Sequence, residues 1–215
     1  ISLDKKVQWI RELNPAGKNL LDIGCGTGEF LNNIQKKGGF TVTGIEPNDN
    51  ARSMGQKNYN LNVFEEDHIH SLQPESFDVI TMWHVLEHVH ELQGRVGQIE
   101  KLLKKGGYAV IAVPNYTSDD ARRYGKLWAA YDVPRHLYHF SPDTIKKLFK
   151  MNHLECIKSI PLVYDSYYSA LLSSKYRKEN FPELKAVING FLSNKHTKKD
   201  PERYSSVVYV FKKAI

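Results

Sequence analysis

The segment Asp22-Ile23-Gly24-Cys25-Gly26-Thr27-Gly28-Glu29 holds the densest set of residues suited to ligand chemistry in this sequence of 215 residues. An apolar run ends at Asp22, three glycines follow, and Phe30, Leu31 and Ile34 then recur at helical spacing. Bare backbone amides should therefore stand at a helix N-terminus, a geometry that suits a nucleotide-like ligand. A side chain there would hold the ligand off the main chain, and tight turns often need the positive φ that glycine adopts freely. Dinucleotide sites use G-x-G-x-x-G, in which the helix dipole receives a pyrophosphate. Here the spacing is G-x-G-x-G, and Glu29 occupies the place of the third dinucleotide glycine, where its charge would repel a diphosphate.

Two further acids follow the next two apolar runs. Glu46, beside Pro47, lies 22 residues beyond Gly24, near the ~20-residue offset at which an acid grips ribose hydroxyls. Asp67 follows the third run, where a carboxylate can accept from the exocyclic amine of adenine, and His68 is placed to lie against the ring. Asp22, Glu46 and Asp67 would all face the carboxyl edge of a parallel sheet, where open α/β folds bind their ligands.

The elements that must position these residues follow from hydropathy. Short apolar runs over Asn19–Ile23, Phe40–Ile45, Leu61–Phe64, Phe77–Trp83 and Tyr108–Val113 alternate with helical stretches, which predicts an α/β, doubly wound, mostly parallel sheet buried on both faces. Val96, Ile99, Leu102 and Leu103 fall at helical spacing before Lys104-Lys105-Gly106-Gly107, which is expected to end the helix. Residues 114–140, rich in Tyr and Arg, form a loop too long for an ordinary connection and are assigned to the substrate side. Ser141-Pro142-Asp143 reads as a helix start. Leu154–Ile160 and Ser206–Phe211 read as two late strands, antiparallel if they form a hairpin, with an inserted helical pair over residues 163–200. In that pair Tyr164, Tyr167, Tyr168, Leu171 and Leu172 are expected to make one buried apolar face.

With 41% hydrophobic and 25% charged residues, the chain reads as one domain over residues 1–215. No apolar run approaches the roughly 20 residues of a membrane span, and no signal-peptide layout is present. Two cysteines offer neither a disulfide framework nor a C-x-x-C zinc site, so a reducing cytoplasm is expected. The net charge of +6 sits mainly in residues 151–215, with eleven Lys and Arg against six Asp and Glu, and is read as a solvated surface.

Taken together, L-L-D-I-G-C-G-T-G-E-F, V-T-G-I-E-P-N, E-D-H, F-D-V-I-T-M-W-H-V-L-E-H-V and L-L-K-K-G-G-Y-A-V-I-A-V-P-N resemble the class I S-adenosylmethionine-dependent methyltransferases, over roughly residues 18–160. Within that class the chain is similar to the ubiquinone-pathway O-methyltransferase-like group and to uncharacterised bacterial members. The resemblance implies a Rossmann-like sheet of seven strands, the last antiparallel and inserted beside its neighbour. It implies that Asp22, Gly24, Cys25, Gly26 and Gly28 hold the methionine part of S-adenosylmethionine, Glu46 and Pro47 the ribose side, Asp67 and His68 the adenine, and the Trp83-His84 backbone the ammonium. Enzymes that methylate base amines carry an Asn/Asp-Pro-Pro-aromatic motif after the fourth strand. Met82-Trp83-His84-Val85 departs from it, which argues against a nucleic-acid substrate.

The activity this implies is methyl transfer to a small-molecule acceptor, expected to be oxygen. The alternatives are a binding domain without catalysis, or RNA or protein methylation. A hydroxyl acceptor calls for a base of near-neutral pKa, and His84 and His136 are the candidates, ahead of His139. Arg135 is placed to grip an anionic group, while Trp128, Tyr131 and Tyr138, with Tyr124, are placed to wall an aromatic pocket. His84, Glu87 and His88 form H-x-x-E-H, a zinc metallopeptidase pattern, but one directly after a strand aimed at the cofactor, so no metal is assigned. Some similar O-methyltransferases carry an acid in place of His84 and are thought to hold a divalent ion with that helix. Nothing in the sequence assigns an oligomeric state.

Overall fold

The computed structural model describes residues 2–197 and 199–215. Among them, seven strands form one sheet: β1 (Asn19–Ile23), β2 (Thr41–Ile45), β3 (Val63–Phe64), β4 (Phe77–Trp83), β5 (Leu103–Pro114), β6 (Leu154–Pro161) and β7 (Ser206–Lys213). Their order is β3-β2-β1-β4-β5-β7-β6, with the first five parallel and β7 antiparallel to both neighbours. The order reverses between β1 and β4, which opens a crevice at their carboxyl ends. Asp22 pairs in register with Gly44 and Thr81, so the glycine loop and the ends of β2 and β4 meet at one height.

Helices cover both faces. On one side α1 (Leu3–Leu13) and α2 (Glu29–Gly38) bury Val7, Ile10, Phe30, Leu31 and Ile34 against Leu20, Val42 and Val79. On the other, α4 (Leu92–Leu102) and α6 (Pro142–Lys150) bury Val96, Ile99, Ile145 and Phe149 against Leu21, Ile80, Ile111 and Phe211. Helix α3 (Asp49–Tyr59) starts at Asn48, whose side chain accepts from Ala51 N. Ser141 caps α6 in a capping box with Thr144, as the Ser-Pro-Asp start implies. The long loop holds α5 (Asp119–Tyr124) and two further single turns.

Two expectations change. Lys104-Lys105-Gly106-Gly107 does not follow the helix as a separate turn. Helix α4 ends at Leu102, and the four residues bulge within β5, with Gly106 at φ +73°. The inserted pair, α7 (Asp165–Tyr176) and α8 (Pro182–Thr197), does lie between β6 and β7, but two of its tyrosines point the other way. Helix α7 buries Ser166, Ser169, Ala170, Ser173 and Ser174, while Tyr164 and Tyr168 are 70% and 68% exposed. Small side chains let the helices approach, and two of the serines tie α7 to the long loop: Ser173 Oγ accepts from Ala129 N, and Ser174 Oγ meets the Tyr124 hydroxyl at 3.1 Å.

Phe211 of β7 stacks on Phe149 of α6 with ring centroids 3.9 Å apart, both rings buried. Phe211→Ala is expected to cost about 3–5 kcal/mol, the usual loss for a truncated core aromatic, read as a lowered urea midpoint with an unchanged slope.

Candidate active site

The turn after β1 is fastened by main-chain bonds, because its glycines have no side chains to pack. Gly24 N and Cys25 N both donate to Ile45 O, at 2.7 and 3.1 Å, and Gly26 N donates to Glu46 Oε2 at 2.8 Å. Glu46 Oε1 accepts from Asn48 N at 2.9 Å, so one buried carboxylate holds both the loop and the start of α3. Each carboxylate oxygen keeps a second lone pair, which leaves Glu46 able to accept hydroxyl donors from a ligand. Gly24 (φ +74°) has no room for a Cβ, which would lie 2.4 Å from Val85 Cγ2. At Gly26 (φ +57°) a Cβ would meet nothing within 4 Å, so this bare backbone faces open space. That opening leaves a ligand room to lie against the main chain of the loop. Cys25 is buried toward Gly44 and Leu31, and burial pushes its thiol far above the usual range, so it serves as packing and presents its backbone.

Asp22 is 2% exposed and accepts from Thr81 Oγ1 at 2.5 Å. Burial raises its pKa from 3.8 to about 7, against the lowering effect of the Thr81 bond and of Lys6. Lys6 comes from α1, with Nζ 3.9 Å from the Trp83 ring centroid, and Trp83 in turn meets Phe30 edge-on. Burial likewise lowers the Lys6 pKa, which Asp22 and Asp165 oppose. The sequence reading missed both Lys6 and Thr81.

Beyond β3, residues Glu66–Ser71 form a 3-10 turn. His68 stacks on Phe64 with centroids 3.9 Å apart, giving a flat aromatic pair beside the third strand. Asp67 is exposed on the same turn. A cleft of about 900 Å³ runs from Gly24, Glu46 and Pro47 past Glu66 and Ile69 to Val85 and His88.

The fourth-strand motif does not continue as a helix. His84 adopts φ +57°, a left-handed conformation rare outside glycine, and only Leu86–His88 make a short 3-10 turn. His84 N donates to Ala112 O, extending the sheet ladder, so that amide is already used. Its Nε2 lies 3.0 Å from Asp165 Oδ2 of α7, and its Nδ1 3.4 Å from Glu87 Oε1. Burial pulls the His84 pKa down, but the Asp165 and Glu87 carboxylates outweigh it and raise it to about 9. Asp165, also missed by the sequence reading, thus joins the inserted helices to the cleft.

The loop Arg135–Tyr138 is fastened onto this turn. Leu137 N and Tyr138 N donate to Glu87 O, the Tyr138 hydroxyl donates to His90 O, and His88 Nδ1 donates to Arg135 O. His136 Nδ1 donates to Ala130 O, and burial lowers the pKa of this ring. One donor atom each from Glu87, His88 and His136 lie within 4.8 Å of one another. His139 is held by Tyr131 O.

Of the residues expected to bind substrate, Trp128 does not wall a pocket. It is 2% exposed and forms a small core with Tyr124, Ala170 and Ala186, edge-on to Tyr131. Arg135 is exposed and gives both Nε and Nη2 to Asp132 Oδ1. Tyr131 and Tyr138 are half-buried beside the histidines.

The strand order and the cleft at its carboxyl edge are those of the class I S-adenosylmethionine-dependent methyltransferase fold. A profile described as a methyltransferase domain matches residues 2–159, and the chain belongs to that family. A ubiquinone biosynthesis O-methyltransferase of Pseudomonas fluorescens (strain Pf0-1) is 31% identical over 118 residues, covering 51% of this chain and 50% of the relative. The match thus spans about half the length of the curated relatives. An S-adenosylmethionine-dependent enzyme of Thermotoga maritima, described as a possible histamine N-methyltransferase, superposes with TM-score 0.66 at 19% identity over 99% of this chain and 89% of its own. Phosphoethanolamine N-methyltransferase 2 of Haemonchus contortus, solved with S-adenosyl-L-methionine, superposes with TM-score 0.66 at 15% identity over 99% and 53%.

The folded chain holds a proton on Asp22 that the unfolded chain releases near pH 3.8. The ligand-free protein is therefore expected to lose stability as pH rises from about 4 to about 7 and to level off above that, by on the order of 4 kcal/mol. Asp22→Asn, which keeps an acceptor for Thr81, should flatten that slope in urea titrations. A slope unchanged in the variant would assign it elsewhere.

Proposed function

We propose that this domain transfers a methyl group from S-adenosylmethionine to an oxygen of a small-molecule acceptor. The observation that carries the reading is the Gly26 backbone facing open space beside the buried Glu46 carboxylate. It supports an adenosine-type ligand lying along the ends of β1 and β2, with the His68–Phe64 pair on the adenine side. Bound there, the cofactor supplies an electrophilic methyl on a sulfonium.

The chain's own residues then have to align the acceptor, exclude water and dispose of the hydroxyl proton. His84 suits a fixed orienting role, since both of its ring nitrogens face carboxylates. The proton-accepting end of the site is the Glu87, His88 and His136 cluster, in which the ring of His136 has Nδ1 committed to Ala130 and Nε2 unprotonated. We assign Tyr131 and Tyr138, half-buried beside these histidines on the long loop, to the acceptor side of the site. A cleft of about 900 Å³ lies within the range of small-molecule sites, and the O-methyltransferase relatives support oxygen as the acceptor atom.

Calorimetric titration should show binding of S-adenosylhomocysteine and none of NAD; the reverse result would end the reading. His136→Gln is expected to lower acceptor-dependent methylation about 10²–10⁴-fold, followed by mass spectrometry on a metabolite pool, with S-adenosylhomocysteine affinity unchanged. Binding without turnover in the wild-type chain on every acceptor tried would instead support a binding domain. Gly26→Val should abolish cofactor binding, because its side chain would occupy the open face of the loop.

A further inference from the structure

Helix α8 is turned inside out. A surface helix ordinarily sets its apolar stripe against the core. Here the inward stripe is Ala186, Gly190, Ser193 and Thr197, while Leu184, Val187, Ile188 and Phe191 stand outward at 48–60% exposure. Steps of three and four residues keep each set on one side of the helix. The same inversion marks α7, whose buried residues are Ser and Ala and whose Tyr164 and Tyr168 point outward, and Phe181 between the two helices is 77% exposed. Of the seventeen large apolar side chains exposed among the described residues, nine fall within residues 163–191, so this is a patch and not the ordinary scatter of single residues.

The rim of the patch is basic. Lys175, Arg177, Lys178, Lys185, Lys195 and Lys199 are exposed on the hairpin, against Glu183 and Asp200 as the exposed acids of residues 175–200. Glu183 and Glu179 lie near Lys175 and Lys185, but no ion pair holds Lys178, Lys195 or Lys199 among the described residues. Lys195 stands one turn beyond Phe191 on the outward stripe of α8. Helix α5 extends the rim with exposed Arg122 and Arg123, and Arg177 of the hairpin donates to Arg123 O.

Charge selects the occupant. A second copy meeting this face would set one basic rim against another. A polynucleotide would answer the cations and stack on the tyrosines, but it leaves Leu184, Val187 and Ile188 in water, since aliphatic side chains offer bases no ring to stack on. An anionic phospholipid surface answers both features. Apolar side chains enter the boundary between headgroups and acyl chains to a depth of about 5–10 Å, lysines reach phosphates along their aliphatic stems, and tyrosine keeps its ring in the apolar layer and its hydroxyl in the wet one. We infer that the α7–α8 hairpin is a peripheral docking surface for anionic lipid bilayers. Among the described residues no helix is long and apolar enough to cross a membrane, so the hairpin lies on the surface. Asp165, the first residue of α7, is bonded to His84, which holds the cleft next to the docked face.

The full chain is centrifuged with vesicles of phosphatidylcholine alone and of phosphatidylcholine mixed with phosphatidylglycerol. Binding to the mixed vesicles only, weakening as salt rises, is expected. Ile188→Glu with Phe191→Glu should weaken it at least tenfold, and Lys178→Gln and Lys195→Gln about fivefold each. Met151→Glu, an equally exposed position at the end of α6, should leave it unchanged. All these side chains point into solvent, and unchanged thermal midpoints confirm that the variants fold. Equal binding to both vesicle types, binding to neither, or wild-type binding by the Ile188→Glu, Phe191→Glu variant overturns the inference. A dimer in sedimentation velocity that this variant dissolves, or polyuridylate bound in place of the mixed vesicles, overturns it in favour of a second copy or of nucleic acid. S-adenosylhomocysteine affinity measured on the same samples keeps the two proposals apart, since its loss removes the methyl-donor reading and leaves vesicle binding to stand or fall separately.

Discussion

The carboxylate of Glu46 is the fixed point of the cleft. A loop made of glycine cannot hold itself by packing, so its position depends on what its amides are bonded to. Glu46 takes one amide from that loop and one from the start of α3, while Ile45 O takes two more. The parallel register of β1 with β2 places Ile23 opposite Ile45, which brings the loop within reach of both acceptors. Remove the carboxylate and the amides of Gly26 and Asn48 both lose their partners. The bare face at Gly26 would lose its definition with them.

A second set of constraints comes from segments outside the parallel half of the sheet. The cleft is lined at one end by a turn that the long loop grips through the Glu87 carbonyl, and His84 is held by an acid from the inserted helices. The serine face of α7 bonds to Ala129 N and meets the Tyr124 hydroxyl, so insertion and loop form one body. Residues far apart in sequence thus converge on the four residues after Trp83. A left-handed His84 is tolerated because its amide, both ring nitrogens and the following turn are all engaged.

Much of this was legible in the sequence. Five apolar runs gave strands within a few residues of their bounds, because parallel strands covered on both faces must be apolar throughout. The glycine spacing and the acid after β2 located the cleft for the same reason, since main chain and strand ends are local features. What failed was orientation. Helical spacing of Tyr164, Tyr167 and Tyr168 suggested a buried aromatic stripe, yet the buried face of α7 is Ser and Ala, and of the three rings only Tyr167 packs inward, over Gly190 of α8. Trp128 was read as a pocket wall and is core, for aromatics serve both ends equally. Lys6, Thr81 and Asp165 carried no local signal, because each acts across the fold on a residue of another element. The capped amphipathic start of the chain, with Val7 and Ile10 on one face, was the signal that could have placed α1.

The strand order has a bearing on how the chain assembles. β7 is the last strand in sequence but sits between β5 and β6, pairing with both through long antiparallel ladders. Until it arrives, β5 presents an apolar edge with unpaired amides and carbonyls, and β6 has no neighbour at all. During synthesis that edge is open to pairing with other chains, and the bulge and lysines at the start of β5 blunt only one end of it. Closure of the sheet therefore waits on the final ladder, and the contacts between the inserted helices and the cleft are among the last to form.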